Sequence, residues 1–289
     1  MLTGVQLHPE SRLIKDWDFA PSPTLYLSAR RVLRMGYRLR WPPQREVLTP
    51  VTPRASWAAY FVYAPDGRML PNHHFTLGRL RDMGLSVLVV CATGQRGVVP
   101  EGLRAYADAL VWKDLPGYDF SAYALALHQV ARYSPGANVL VLNDSVFGPF
   151  ADLRPYALRP RWDLLGFTAS STGENHFQSY AFVVAGLDEQ RIQRLGAPFS
   201  ERVAYTRAGD VILCQELRFA RLAARHMSAG AAWYSDGSQV SDPMLMRPVE
   251  LCREGFPFVK KSLLGKFACF QPPGLIRDLL VEHGHPVEG

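Results

Sequence analysis

Hydrophobic and polar positions along the chain fall into a repeating order. Residues 57–63 form an aromatic and aliphatic run of strand type, 72–83 carry a helical spacing, 86–91 are apolar and β-branched, and 109–113 form another short apolar run. The pattern next predicts a helix over 123–133 and a strand over 138–142, whose unbroken apolar character suits burial on both faces of a parallel sheet. Strand, helix, strand, with a further strand after a helical stretch, is the signature of a doubly wound α/β half. Downstream, 162–168 and 179–184 read as strands and 187–195 and 212–229 as helices, the second with apolar residues at helical spacing.

Residues 1–53 break this order. Pro9, Pro21, Pro23, Pro42, Pro43, Pro50 and Pro53 surround one expected helix over 24–38, so the segment reads as an N-terminal helical extension. The main α/β domain is expected over 54–289, with no internal repeat and no low-complexity tract.

Composition narrows the class. A chain of 289 residues with 48% hydrophobic content can bury a substantial core. Its longest apolar runs, such as 85–92, fall far short of the roughly 20 residues a membrane-spanning helix needs. Residues 1–10 lack the basic stretch followed by an apolar run that marks a secretory signal, so a cytoplasmic location is expected. Cys91, Cys214, Cys252 and Cys269 are scattered without metal-ligand spacing and read as buried, reduced thiols. The formal net charge of +6 is concentrated early, where Arg30, Arg31, Arg34, Arg38 and Arg40 lie close together. A solvated helix face explains such a cluster, and so does peripheral attraction to anionic lipid headgroups. Nucleic-acid binding would rest on charge alone, with no recognised motif, and is not expected.

Candidate chemistry gathers at strand ends. In 138–150, NVLVLNDSVFGPF, an apolar strand runs straight into Asn143, Asp144 and Ser145, followed by the turn-prone Gly148 and Pro149. A carboxylate is thus presented at a strand's carboxyl end, the edge of open α/β sheets at which ligands bind. Asp144 can ligate Mg²⁺ or Mn²⁺ bridging a diphosphate, or it can simply cap the following turn. The stretch 113–123, KDLPGYDFSAY, supplies a second loop at that edge: Gly117 permits close backbone approach, Tyr118 or Phe120 can stack on a ring, and Asp119 can meet ribose or cap the next helix. In 174–180, ENHFQSY, the groups of His176, Gln178, Ser179 and Tyr180 suit sugar hydroxyls, with His176 able to move a proton. Glu216, on an otherwise apolar helix, is placed either as a general base or as a partner for Arg218, Arg221 or Arg225. Lys260 and Lys261, in FPFVKKSLL, can meet phosphate.

Together these segments resemble the rhamnan synthesis protein F family over roughly residues 55 to 265. The resemblance is carried by the GYDF loop from Gly117 to Phe120, the NDS strand end with its G-P turn from Asn143 to Pro149, the HxQSY segment from His176 to Tyr180, and the helix bearing Glu216. The PF-x-K element from Pro257 to Lys261 and the early turn at Asp66 and Gly67 add to it. The resemblance implies a GT-A-like, Rossmann-type mixed sheet flanked by helices, and transfer of a sugar, rhamnose among the candidates, from a nucleotide-sugar donor to a polysaccharide or lipid-linked glycan acceptor. It implies donor contacts from Tyr63, Gly117, Tyr118, Asp119, Asn143, Asp144, Ser145 and Lys260, acceptor contacts from Gln178 and Ser179, catalysis by Glu216 and His176, and a Mg²⁺ or Mn²⁺ ion on Asp144. The usual DxD pair is reduced here to the single carboxylate of Asp144, which leaves a second reading open: a catalytically silent glycan-binding or assembly subunit of the same fold.

Overall fold

The computed structural model describes residues 13–22, 33, 36, 39–235 and 242–287. Its strands in chain order are β1 (Leu13–Asp18), β2 (Leu39–Arg40), β3 (Arg45–Thr49), β4 (Ser56–Tyr63), β5 (Val87–Ala92), β6 (Ala109–Lys113) and β7 (Ala137–Asn143). They continue as β8 (Val146–Phe147), β9 (Leu164–Ser170), β10 (His176–Phe177), β11 (Ala181–Leu187), β12 (Ala204–Tyr205), β13 (Ala229–Ser235) and β14 (Val259–Lys260). The helices used below are α1 (Pro71–Asp82), α2 (Tyr118–Tyr133), α3 (Glu189–Leu195), α4 (208–223) and α5 (Pro273–Glu282). Helix α4 is continuous through the α-helical turn Ala208–Val211, the π-helical turn Ile212–Glu216 and the α-helical stretch Leu217–Ala223.

Ten strands make one mixed sheet in the order β1-β13-β9-β11-β7-β4-β5-β6-β3, with β10 paired to β9. Strand β4 runs parallel to β5 and β7, β5 parallel to β6, and β13 parallel to β9, while β11, β3, β1 and β10 pair antiparallel. The α/β architecture expected from the alternation of elements is the one observed.

Alternation of side chains along β4 builds two cores. Trp57, Ala59 and Phe61 face α2, α3 and α4, where they join Phe120, Tyr123, Leu127, Ile192 and Phe219. Ala58, Tyr60 and Val62 face α1, where they join Leu77, Leu80 and, from the short helix Arg154–Leu158, Ala157. All six residues of β5 are buried, which accounts for its unbroken apolar sequence. A smaller core of Phe147, Val259, Leu263, Ile276 and Leu280 holds α5 to the rest.

The chain steps from β4 to β5 to β6 in one direction, then returns beneath α2 and lays β7 on the other side of β4. The strand order therefore reverses between β4 and β7, the kind of switch point at whose carboxyl ends open α/β sheets bind ligands. Tyr63, Asn143 and Asp144 stand at that point.

Several elements depart from the sequence reading. Helix α2 starts at Tyr118, five residues before the expected position. Gly117, in the left-handed region at φ +95°, turns the chain into it, and a Cβ there would stand 2.8 Å from Ser121 Cβ. The helix expected over 212–229 begins at Ala208 and ends at Ala223, and Ala229 already opens β13, whose Ala- and Gly-rich sequence is buried along its whole length. Within the expected N-terminal extension, Leu13–Asp18 and Arg45–Thr49 form the two edge strands of the main sheet. The helix expected over 24–38 lies outside the described residues apart from Leu33 and Gly36, as do Arg30, Arg31, Arg34 and Arg38. Cys91 and Cys252 are buried, and burial pushes each thiol up to about 12, whereas Cys214 is half-buried and Cys269 exposed, so the expectation of buried thiols does not extend to those two. Among the described residues no helix is long and apolar enough to cross a membrane.

Candidate functional site

Asp144 follows directly on β7, and the register of β7 on β4 brings it beside Tyr63. Its Oδ2 accepts the Tyr63 backbone N–H at 3.0 Å and lies 3.1 Å from Nε2 of His73, a fully buried ring on α1. Nδ1 of His73 accepts the Leu70 N–H at 3.2 Å, so the ring proton sits on Nε2 and is donated to Asp144. His73 occupies the third position of α1, where Glu or Gln commonly reaches back to the cap. One imidazole thus satisfies a helix end and fixes a carboxylate.

Asn143 acts as a tie. Its Nδ2 donates to Asp119 Oδ2 at 3.2 Å, while its Oδ1 accepts the Ser145 N–H at 3.0 Å and the Ser145 hydroxyl at 2.6 Å. Asp119 sits in the first turn of α2 rather than at its cap. Burial, and then the nearby charge of Glu216, push its carboxyl up to about 6. Glu216 is the last residue of the π-helical turn, a distortion frequent at functional sites. Its own carboxyl is raised by burial, against the pull of Lys260, and lies against the hydroxyl and backbone N–H of Ser179. The Ser179 carbonyl in turn accepts the Tyr123 hydroxyl at 2.9 Å, which ties α2 to the strand behind it.

The PF-x-K segment reaches the same edge through the β8–β14 ladder, in which Lys260 faces Val146 and Val259 faces Phe147. Gly148, at φ +119°, is what lets it in: a Cβ there would stand 2.3 Å from the Pro257 carbonyl oxygen. Lys260 Nζ pairs with Asp242 Oδ2 at 2.5 Å and weighs electrostatically on Glu216 and His176. Lys261 donates its backbone N–H to the Ser145 carbonyl at 3.0 Å. With the Asn72 amide turned so that its oxygen faces the lysine, Lys261 Nζ donates to it at 2.6 Å. Burial lowers the pKa of this ammonium, and the charge of Asp144 opposes that shift.

His176 is buried, and its Nδ1 donates to the Glu174 carbonyl at 2.7 Å, so Nε2 carries a lone pair. Burial lowers its pKa and keeps the ring neutral at pH 7. Gln178 is also buried, its Oε1 accepting the Thr168 hydroxyl at 2.6 Å. Tyr63 and Tyr118 are exposed, and Tyr118 holds a left-handed backbone at φ +53°, uncommon for a bulky residue.

The structure thus brings Tyr63, Asp119, Asn143, Asp144, Ser145, Ser179, Glu216 and the lysine pair to one sheet edge, and places His176 beside Lys260 and Asp242. Three residues were not anticipated. His73 fixes Asp144, Asp242 pairs with Lys260, and Lys113, wholly buried at the end of β6, donates to the Pro116 carbonyl at 3.0 Å and so holds the loop before Gly117. Burial brings the Lys113 ammonium down to about 8. A lysine closing an apolar strand was the available signal for Lys113; His73 and Asp242 carry none outside their tertiary setting.

Among the described residues, no group of three or more His, Cys, Asp or Glu side chains stands where it could hold a metal ion. Divalent Mg²⁺ or Ca²⁺ seeks six or more oxygen ligands. Around Asp144 the chain offers one carboxylate already holding two N–H groups, an Asn143 oxygen already holding two donors, and a lysine. This donor set is too small to hold a cation without oxygens from the ligand itself.

No protein-family model matches the sequence, and no curated protein matches it. Among solved structures, the chain is similar to HddC from Yersinia pseudotuberculosis, at 9% identity and a TM-score of 0.40, over 62% of this chain and 92% of that one. It is also similar to the inositol-1-phosphate CTP transferase from T. maritima, at 12% identity and a TM-score of 0.37, over 64% and 91% of the two chains. A third is the 4-diphosphocytidyl-2C-methyl-D-erythritolsynthase from Anaerococcus prevotii DSM 20548, at 11% identity and a TM-score of 0.39, over 65% and 93%. Likenesses this distant say nothing of the chain's chemistry.

Proposed function

We propose that the chain is a glycosyltransferase that moves a sugar from a nucleotide-sugar donor to a growing surface polysaccharide or lipid-linked glycan with inversion, as its resemblance to the rhamnan synthesis protein F family implies. The observation that carries the reading is the carboxylate pair of Asp119 and Glu216 beside the β4–β7 switch point, each raised by burial and Asp119 further raised by its partner. Such a pair supplies a base whose proton affinity suits neutral pH.

On this reading the donor lies along the ends of β4, β6 and β7, with Tyr63 or Tyr118 stacked on its base. Glu216 takes the acceptor hydroxyl's proton as the acceptor oxygen bonds to the anomeric carbon. The bond from that carbon to the diphosphate breaks, and its electron pair leaves with the diphosphate toward Asp144 and β14. Ser179 orients Glu216, and the amide nitrogen of Gln178 and Nε2 of His176 are available to acceptor hydroxyls. The early arginines would draw the enzyme to anionic headgroups where a lipid-linked acceptor waits, and sedimentation with and without anionic vesicles checks this.

The test is turnover. Glu216→Gln keeps the shape and removes the base, so nucleoside diphosphate release in the presence of glycan acceptor should fall by roughly 10²–10⁴-fold with donor affinity retained. Full activity in that variant would refute the role of Glu216. Donor binding without turnover in the native chain would favour the silent subunit.

A further inference from the structure

Resting on that reading of the site, we propose that the diphosphate of the donor is neutralised by the Lys261 ammonium, so that donor binding needs no divalent cation. The first ground is the donor set. Asp144 Oδ2 is committed to the Tyr63 N–H and to His73 Nε2–H, Asn143 Oδ1 to Ser145, and Asp119 Oδ2 to the Asn143 amide, so at most one carboxylate oxygen of Asp144 remains for an ion. The neighbouring carboxylate, Asp119, already accepts a hydrogen bond on each oxygen, from the Phe120 backbone N–H on Oδ1 and from the Asn143 amide on Oδ2.

The second ground is that a cation of the chain's own already stands there. Lys261 follows β14, whose ladder with β8 sets it beside the residues that follow Asp144, and its backbone N–H is bonded to Ser145. Its Nζ is oriented by the Asn72 oxygen at 2.6 Å and lies 5.8 Å from the Phe147 ring centroid. Lys260, one residue earlier, is matched by Asp242 at 2.5 Å. Among the described residues Lys261 has no such carboxylate within ion-pair distance, so its charge is left to meet an anion. A half-buried ammonium beside low-dielectric walls is worth more to a phosphate than an exposed one. It would balance the negative charge gained by the departing diphosphate, the task a metal performs elsewhere.

The experiment is thermal stabilisation of the full chain by a panel of nucleoside diphosphates, each in EDTA and in Mn²⁺, for the native protein, Lys261→Met and Asn72→Ala. One diphosphate should stabilise the native chain equally in EDTA and in Mn²⁺. Its apparent affinity should drop roughly tenfold to hundredfold in Lys261→Met and severalfold in Asn72→Ala, with no rescue by Mn²⁺. Stabilisation that appears only with Mn²⁺, or that Lys261→Met leaves unchanged, overturns this inference while the transferase reading stands. Stabilisation in neither condition overturns both. Should Lys261→Met fail to fold, the native comparison and Asn72→Ala decide the matter.

Discussion

At neutral pH an ionised Asp119 lies 3.2 Å from the Asn143 amide and close to the charge of Glu216, with its carboxyl held up to about 6. A carboxyl whose folded pKa is raised contributes stability below its unfolded pKa, near 4, and loses that contribution as pH rises through about 6. The ionised pair is therefore a strain kept for function. Asp119→Asn should stabilise the protein at pH 7 by on the order of 1–3 kcal/mol while lowering turnover, and the gain should vanish near pH 4. Thermal melts of both proteins across pH 4–8 check this; a variant less stable at pH 7 would contradict it. The same pair sets the acid limb of the rate profile. Because the base works deprotonated, kcat/KM should rise with pH as the carboxyls of the pair ionise, at a pH above the ordinary carboxylate range because burial raises both.

The π-helical turn of α4 carries its own consequence. Gln215, inside the turn, donates to the Pro198 carbonyl at 2.7 Å, and the next residue is Glu216. Deleting Leu213 should close the turn to α geometry, preserve the buried faces on either side, and rotate Glu216 away from Ser179 and Asp119. A displacement of about 1 Å can cost roughly a hundredfold in rate. The expected result is a folded protein with activity down about a hundredfold by steady-state assay, and an undiminished rate would contradict the placement of Glu216.

Elements also show what the sequence disclosed. Strands β4 to β7 were legible because burial on both faces makes them continuously apolar. The edge strands were not: LIKDWD and REVLT mix charges with apolar residues in a proline-rich stretch, and they are strands because β13 and β6 need partners. Strand β13 looked like the tail of a helix because Ala and Gly fill it where neighbours pack close. Asp119, Asp144 and Glu216 were legible as carboxylates at the ends of elements. His73 was not, since its task depends on a strand end 71 residues away in sequence.

Over the whole molecule, the sheet is closed at its edges by the segment that seemed an appendage. Strand β1 covers β13, with Trp17 stacked on Tyr234 at a centroid distance of 4.0 Å and Asp18 accepting the Trp162 indole N–H at 2.6 Å. Lys15, Asp16 and Asp18 make that outer edge charged, a common guard against further pairing. Removing residues 1–18 should bare β13 and drive concentration-dependent association, visible by light scattering on a sizing column, whereas a monodisperse truncated chain would contradict this role.

The central claim is that the sheet edge at the carboxyl ends of β4 and β7 binds an activated sugar. Titration calorimetry of the full chain against dTDP-, UDP-, GDP- and ADP-linked sugars tests it most directly. One nucleotide class should bind selectively, and Asp144→Ala, which releases Tyr63 and His73, should weaken it by at least about tenfold. Binding of none of them, or binding that Asp144→Ala leaves intact, would contradict the account.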